Sequence, residues 1–205
     1  MDLQTEITKD LLKIEAVQIR PDDYFTWTSG IKSPIYCDNR LTMSYPAVRK
    51  KIVKAFLHEI ERKQWKPDGI AGCATAGIPH AAWLAEALDL PMLYVRSSPK
   101  GHGKENQIEG ALKKGMKLVV IEDLISTGGS SLETVKALKD AGAEVLGVLA
   151  IFTYSLEKAK ENFLREKVEV STITSYDFLL EILEKEKKIS EKEKEELTNW
   201  RDLLK

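Results

Sequence analysis

Apolar residues along this chain follow two rhythms. Leu3, Ile7, Leu11 and Ile14 recur at helical spacing and predict an amphipathic helix at the start. Residues 21–46 have no helical period and hold Pro21, Gly30, Pro34 and Pro46, which predicts loop with short extended pieces. Pro46 suits the first turn of a helix, and Val48, Ile52, Phe56, Leu57 and Ile60 then give that helix one apolar face. From there short, continuously apolar runs alternate with helical ones. Gly69–Cys73 predicts a strand, 78–88 a helix and Met92–Val95 a strand, followed by a polar, glycine-bearing stretch at 96–110. Residues 117–121 read as a buried strand, 131–140 as a helix stopped by Gly142, and 145–152 as another buried strand. A helix at 156–165 and an extended segment at 168–173 complete the series. Continuous apolar strands separated by helices predict an α/β fold: a mostly parallel central sheet with helices on both faces.

The last 25 residues, 181–205, hold eight acids and seven bases. Charges of both signs alternating along a helix predict solvated faces on helices packed against the domain, rather than an interaction tail. Thr174-x-x-Asp177 and Ser190-x-x-Glu193 each have the form of a capping box before a helical run, and Leu197, Trp200 and Leu204 give the second helix an apolar stripe. With 205 residues, the expected organisation is one domain, 1–205. An N-terminal helix and small hood (1–45) precede the α/β core (46–173) and a helical C-terminus (174–205).

Composition removes several classes. Lys and Arg number 31 against 32 Asp and Glu, a net charge of −1, so nothing in the bulk charge suits a nucleic acid. The longest apolar run, 145–152, is far short of the roughly 20 residues that cross a membrane. Asp2, Glu6 and Asp10 interrupt the N-terminus, which is not a signal-peptide pattern. Cys37 and Cys73 form no Cys-x-x-Cys, and His58, His80 and His102 have no metal-ligand spacing. A reduced, cytoplasmic protein is expected.

The chemistry is concentrated in four segments. In 118–131, a buried strand ends in Glu122 and Asp123. Leu124 and Ile125 follow, and the loop Ser126, Thr127, Gly128, Gly129, Ser130 runs into a helix. Hydroxyls and unpaired backbone N–H groups at a helix N-terminus suit a phosphate, and the two glycines permit close approach. Carboxylates beside a phosphate would repel it, so they must hold something else on the same ligand, hydroxyls or a metal. A phosphorylated sugar satisfies both demands. No G-x-x-x-x-G-K-[ST] is present, so a triphosphate cradle of the P-loop kind is excluded. The second segment, 96–104, places Arg96, Lys100, His102 and Lys104 among Gly and Pro, locally +3 where the acid pair is locally −2. Such a basic loop suits closure over a pyrophosphate. The third, 25–38, is rich in aromatics and turns and contains Lys32 and Tyr36. The fourth, Gly72 to Pro79 with Thr75, Ala76 and Gly77, links a strand to a helix.

The 118–131 string resembles the binding signature of the type I phosphoribosyltransferases. The pattern Arg96-x-x-x-Lys100-x-His102-Gly103 and the core Ser29-Gly30-x-Lys32-Ser33-Pro34-x-Tyr36 resemble the orotate branch of that family. The resemblance covers about residues 20–155. It implies that Glu122 and Asp123 engage the ribose hydroxyls of phosphoribosyl pyrophosphate. Residues 126–130 then grip its 5′-phosphate, Leu124 and Ile125 also contact phosphoribosyl pyrophosphate, and Thr75, Ala76 and Gly77 form a pyrophosphate loop. Arg96, Lys100 and His102 act on the leaving group, with His102 a candidate proton donor. Ser126, Lys32 and Tyr36 lie on the orotate side. It further implies Mg²⁺ carried by the substrate, with Asp123 a candidate contact, and a homodimer whose 96–110 loop serves the neighbouring subunit. The chain departs from some relatives at Thr28, Ala76 and Ser97, where they carry Lys, and after Phe152-Thr153-Tyr154, where they carry an Arg that pairs with the orotate carboxylate. Those departures leave more of the pyrophosphate to Arg96, Lys100 and His102, and leave Lys32 or backbone N–H groups for the carboxylate. Two alternatives remain. A purine phosphoribosyltransferase shares 118–131 but leaves the other two patterns unexplained. A non-catalytic nucleotide-sensing regulator needs a basic face beyond 96–104, and the sequence concentrates none.

Overall fold

The computed structural model describes residues 2–21, 23–26, 30, 32–97 and 107–204. Helix α1 (Leu3–Lys13) opens the chain, capped by the Asp2 carboxylate, which accepts from the Thr5 N–H. The hood follows: β1 (Val17–Ile19) pairs antiparallel with β4 (Ile35–Cys37), and β2 (Phe25–Thr26) with β3 (Lys32–Ser33). A 3₁₀ helix, Asn39–Ser44, then leads into α2 (Pro46–Arg62), with Pro46 in its first turn as its missing N–H allows.

Six strands form the central sheet, in the order β10 (Val170–Ser175), β9 (Glu144–Thr153), β8 (Lys117–Ile125), β5 (Gly69–Cys73), β6 (Met92–Val95), β7 (Ile108–Glu109). All pair in parallel except β7, which closes the edge antiparallel to β6. Helices α3 (Gly77–Leu88), α4 (Gly129–Asp140) and α5 (Glu157–Arg165) are the crossovers, and α6 (Tyr176–Lys185) and α7 (Glu191–Asp202) end the chain. Both sheet faces are apolar, and the side chains of each strand divide between them by alternation. Val119, Ile121, Leu149 and Ile151 join the layer built with α1, α2, α3 and α6. Leu118, Val120, Val148 and Ala150 join the other, built with Val135 and Leu138 of α4 and Phe163 of α5. That two-sided burial is why the strands read as unbroken apolar runs.

Three expectations need correction. Strand β8 does not stop before the acids: it continues to Ile125, because β9 keeps pairing with it as far as Ile125↔Thr153. Helix α4 starts two residues early, at Gly129, because Gly128 makes the turn with φ +80°. Thr174 is not a helix cap. Strand β10 runs through it, its hydroxyl meets that of Thr8 at 2.6 Å in the interior, and Ser175 caps α6 instead. Ser190 and Glu193 do form the expected capping box. Tyr176 and Leu180 seat α6, Leu197 seats α7, and the Tyr176 hydroxyl donates to the Leu197 carbonyl at 3.0 Å. No helix among the described residues is long and apolar enough to cross a membrane.

Candidate active site

The acid pair sits at the carboxyl end of central strand β8, where open α/β sheets present their crevices. Glycine brings the neighbouring loop against it. A Cβ on Gly77 would lie 2.3 Å from the Ile121 carbonyl oxygen and 3.3 Å from the Glu122 Cα, so only glycine lets the start of α3 rest on β8. Residues 74–76 are thereby held beside the acids, with the Ala74 N–H donating to the Val95 carbonyl at 3.0 Å. The Ala74–Thr75 peptide is cis.

The two carboxylates have different surroundings. Glu122 is 5% exposed and turned under the first turn of α4. It accepts from the Ser130 hydroxyl at 2.9 Å, the Ser131 hydroxyl at 3.3 Å and the Asp123 N–H at 3.0 Å. A negative group there meets the positive end of the helix and fixes the 126–130 loop from below. Asp123 is half-buried, and its carboxyl is pushed up to about 7, first by burial and then by the charge and hydrogen bonding of Glu122. The loop between them and α4 is held from outside too. Asn162 donates to the Thr127 carbonyl at 2.9 Å, and a Cβ on Gly128 would meet the Phe163 ring at 2.6 Å. Ser126 is half-buried, while Thr127, Gly129 and Ser130 are exposed and open to a ligand. The Leu124 and Ile125 side chains go into the two apolar layers, so these residues offer a ligand their backbone alone.

Arg96 stands at the base of the basic loop, where its N–H donates to the Gln107 carbonyl and the Gln107 side-chain amide donates to the Arg96 carbonyl. Its guanidinium lies 3.7 Å from the Glu109 carboxylate. Lys100, His102 and Lys104 lie outside the described residues. In the hood, the Lys32 ammonium donates to the Thr26 hydroxyl at 2.8 Å, and the Trp200 indole of α7 donates to the Lys32 carbonyl at 3.2 Å. Tyr36 stacks tilted on Phe25, with centroids 5.7 Å apart. Cys37 has its thiol pushed well up, by burial first and then by the charges of Asp123 and Asp38, and Cys73 is likewise raised by burial and by Glu122. Both are packed neutral thiols rather than nucleophiles.

Three residues had no sequence signal of their own. Asn39, in the 3₁₀ helix, donates its amide to the Asp123 carbonyl at 2.7 Å. Ser131, fully buried, supports Glu122. Tyr154, just past the end of β9, is buried, and burial first of all holds its phenol protonated. Among the described residues no three His, Cys, Asp or Glu side chains cluster as a metal cage. The hard carboxylate oxygens of Asp123 nonetheless suit Mg²⁺, provided that substrate oxygens and water supply its remaining ligands.

Residues 45–186 match the family model described as "Phosphoribosyl transferase domain". The chain is 60% identical to the orotate phosphoribosyltransferase of Oceanobacillus iheyensis, over 98% of this chain and all of that one. It is 57% identical to that of Fusobacterium nucleatum, over 98% of this chain and 97% of the other. Among solved structures, the orotate phosphoribosyltransferase of Aeropyrum pernix superposes with a TM-score of 0.77 at 30% identity, covering 90% of this chain and 99% of that one.

Proposed function

The chain belongs to the orotate phosphoribosyltransferase family, and we infer that it transfers the 5-phosphoribosyl group from phosphoribosyl pyrophosphate to orotate. The products are orotidine 5′-monophosphate and pyrophosphate, a step of pyrimidine synthesis. The observation that carries the site assignment is the juxtaposition of the Asp123 carboxylate, the 126–130 loop at the start of α4 and the 74–77 turn locked on by Gly77.

In the reaction the C–O bond from the anomeric carbon to pyrophosphate breaks and a C–N bond to the base forms. The base N–H proton is lost and the electron pair of the broken bond leaves on pyrophosphate. Positive charge develops on the ribose. Asp123 receives the ribose hydroxyls and places negative charge beside that centre, with Glu122 behind it fixing the phosphate loop. Residues 126–130 hold the 5′-phosphate through hydroxyls and N–H groups at the α4 terminus. Residues 75–77 and Arg96, Lys100 and His102 receive the pyrophosphate, and His102 gives it a proton. Charge aimed at a developing charge is commonly worth about 10²–10³ in rate per contact. Lys32, Tyr36 and Ser126 face the orotate. Asp123 would contact Mg²⁺ carried by the substrate, and the ion would supply charge neutralisation for the leaving group.

A homodimer that shares the 96–110 loop, in the cytoplasm, completes this reading. Exposed apolar side chains in one short stretch, Tyr36, Leu41, Met43 and Tyr45, support such an interface in the hood. The test is turnover with phosphoribosyl pyrophosphate and Mg²⁺, offering orotate, adenine, hypoxanthine or uracil separately. Pyrophosphate release with orotate alone is expected. Release with a purine instead, or with none of the four, overturns the reading.

A further inference from the structure

Strand β8 pairs with β5 only as far as Gly72↔Ile121, yet it runs on to Ile125. The acid pair therefore lies on a stretch whose support on that flank comes from outside the sheet. Asn39 supplies it. Although 84 residues distant in sequence, its side-chain amide donates to the Asp123 carbonyl at 2.7 Å.

Asn39 is fully buried, and its Oδ1 has no hydrogen-bond partner among the described residues. A buried amide whose oxygen has no partner is a net cost to folding, and an apolar residue of similar shape would be cheaper. Its bond to the Asp123 carbonyl fixes the peptide that carries Asp123. The backbone of Asn39 is clamped in turn. The Thr42 hydroxyl donates to the Asn39 carbonyl at 2.6 Å and lies 3.3 Å from Nε2 of His80, which is buried in α3. With the hydroxyl proton committed to Asn39, Nε2 carries the ring proton and Thr42 accepts it. The hood, the helix that begins at the 74–77 turn and the strand bearing the acids thus meet at one side chain.

We propose that Asn39 is a positioning residue of the reaction: by holding the Asp123 peptide it aims the Asp123 carboxylate at the ribose. This rests on the reading that Asp123 receives the ribose.

The test measures kcat/KM for phosphoribosyl pyrophosphate in the full-length wild type, Asn39→Ala, Asp123→Asn and the double variant. Asn39→Ala is expected to lose about ten- to hundredfold, as small misplacements of reacting groups do. The double variant is expected to stay within about threefold of Asp123→Asn alone, because one loss already contains the other. A merely structural Asn39 would give losses that multiply, and that result, or wild-type kcat/KM in Asn39→Ala, overturns the proposal. Wild-type kcat/KM in Asp123→Asn overturns the ribose reading instead, so the two failures are distinct. If Asn39→Ala does not fold, as judged by circular dichroism, Asn39→Asp replaces it: the size is kept and an ionised carboxylate has no proton to donate.

Discussion

Gly77 rests on the carbonyl of Ile121 so closely that a methyl group there would sit 2.3 Å from the oxygen. The contact is with backbone on both sides, so no rotamer relieves it. Gly77→Ala is expected to push the 74–77 turn off the acid pair, lowering kcat/KM for phosphoribosyl pyrophosphate by about 10²-fold and lowering Tm. Gly129→Ala makes the contrast. The nearest atom to its added methyl is the Thr127 hydroxyl at 3.9 Å, and it begins a helix. Its effect on stability is expected to lie within about 0.5 kcal/mol, or to be favourable. Thermal melts and steady-state kinetics on both variants check this. A Gly77→Ala protein with wild-type Tm and kinetics would mean that the turn has room to move.

Asp123 is held in a place that opposes folding once its carboxyl ionises. Its carboxyl titrates near neutrality in the folded chain and near 3.8 in the unfolded one. Above pH 7 the folded state therefore carries the full cost of a buried charge, and below about pH 4 both states are protonated and the cost vanishes. Asp123→Asn is expected to raise Tm while it lowers activity, by about 2–4 °C for each kcal/mol recovered. The gain should be largest above pH 7 and should fade as pH falls toward 4. A variant less stable than wild type at pH 8 would contradict this account of the burial.

The order of strands and helices was legible because each buried parallel strand is a continuous apolar run and each helix shows its own period. The candidate phosphate loop stands out in the sequence for a different reason: strand end, acids, hydroxyls, glycines and helix start all fall within residues 118–131. What escaped the sequence depends on distant pairs. Asn39 in Asp-Asn-Arg reads as a turn residue until β8 is seen to outrun β5, and Gly77 reads as an ordinary helix start until it meets Ile121. The role of Glu122 under α4 required strand β8 to continue past it. Thr174 failed as a cap because its partner, Thr8, is 166 residues away and takes its hydroxyl.

His80 links the site to pH in another way. It is 1% exposed, and burial lowers its ring to about 4, against an ordinary value of 6.5. Between those values the unfolded chain binds a proton that the folded one refuses, so stability from this group is complete above pH 6.5 and is lost as pH falls toward 4. The loss amounts to about 3 kcal/mol. In His80→Gln that part of the acid sensitivity should disappear, giving a flatter Tm profile between pH 6.5 and 4. Parallel profiles for the two proteins would show that His80 does not control this window.

Sharing of the basic loop between subunits makes a prediction that a loop acting within its own subunit does not. Lys100→Ala damages the loop and leaves the phosphate site intact. Gly128→Ala does the reverse, since its φ of +80° and the Phe163 ring, 2.6 Å from the added methyl, both oppose a side chain there. In a mixed dimer whose loops cross, one site combines the intact loop of one subunit with the intact phosphate site of the other, and the second site has both defects. Random pairing makes half of the dimers mixed, so refolding or co-expressing equal amounts should restore about a quarter of wild-type activity. If each loop serves its own subunit, every site in the mixture keeps one defect and nothing is regained. Activity in dimers purified with two different affinity tags separates the two outcomes, and its absence there would return Lys100 to its own subunit's site.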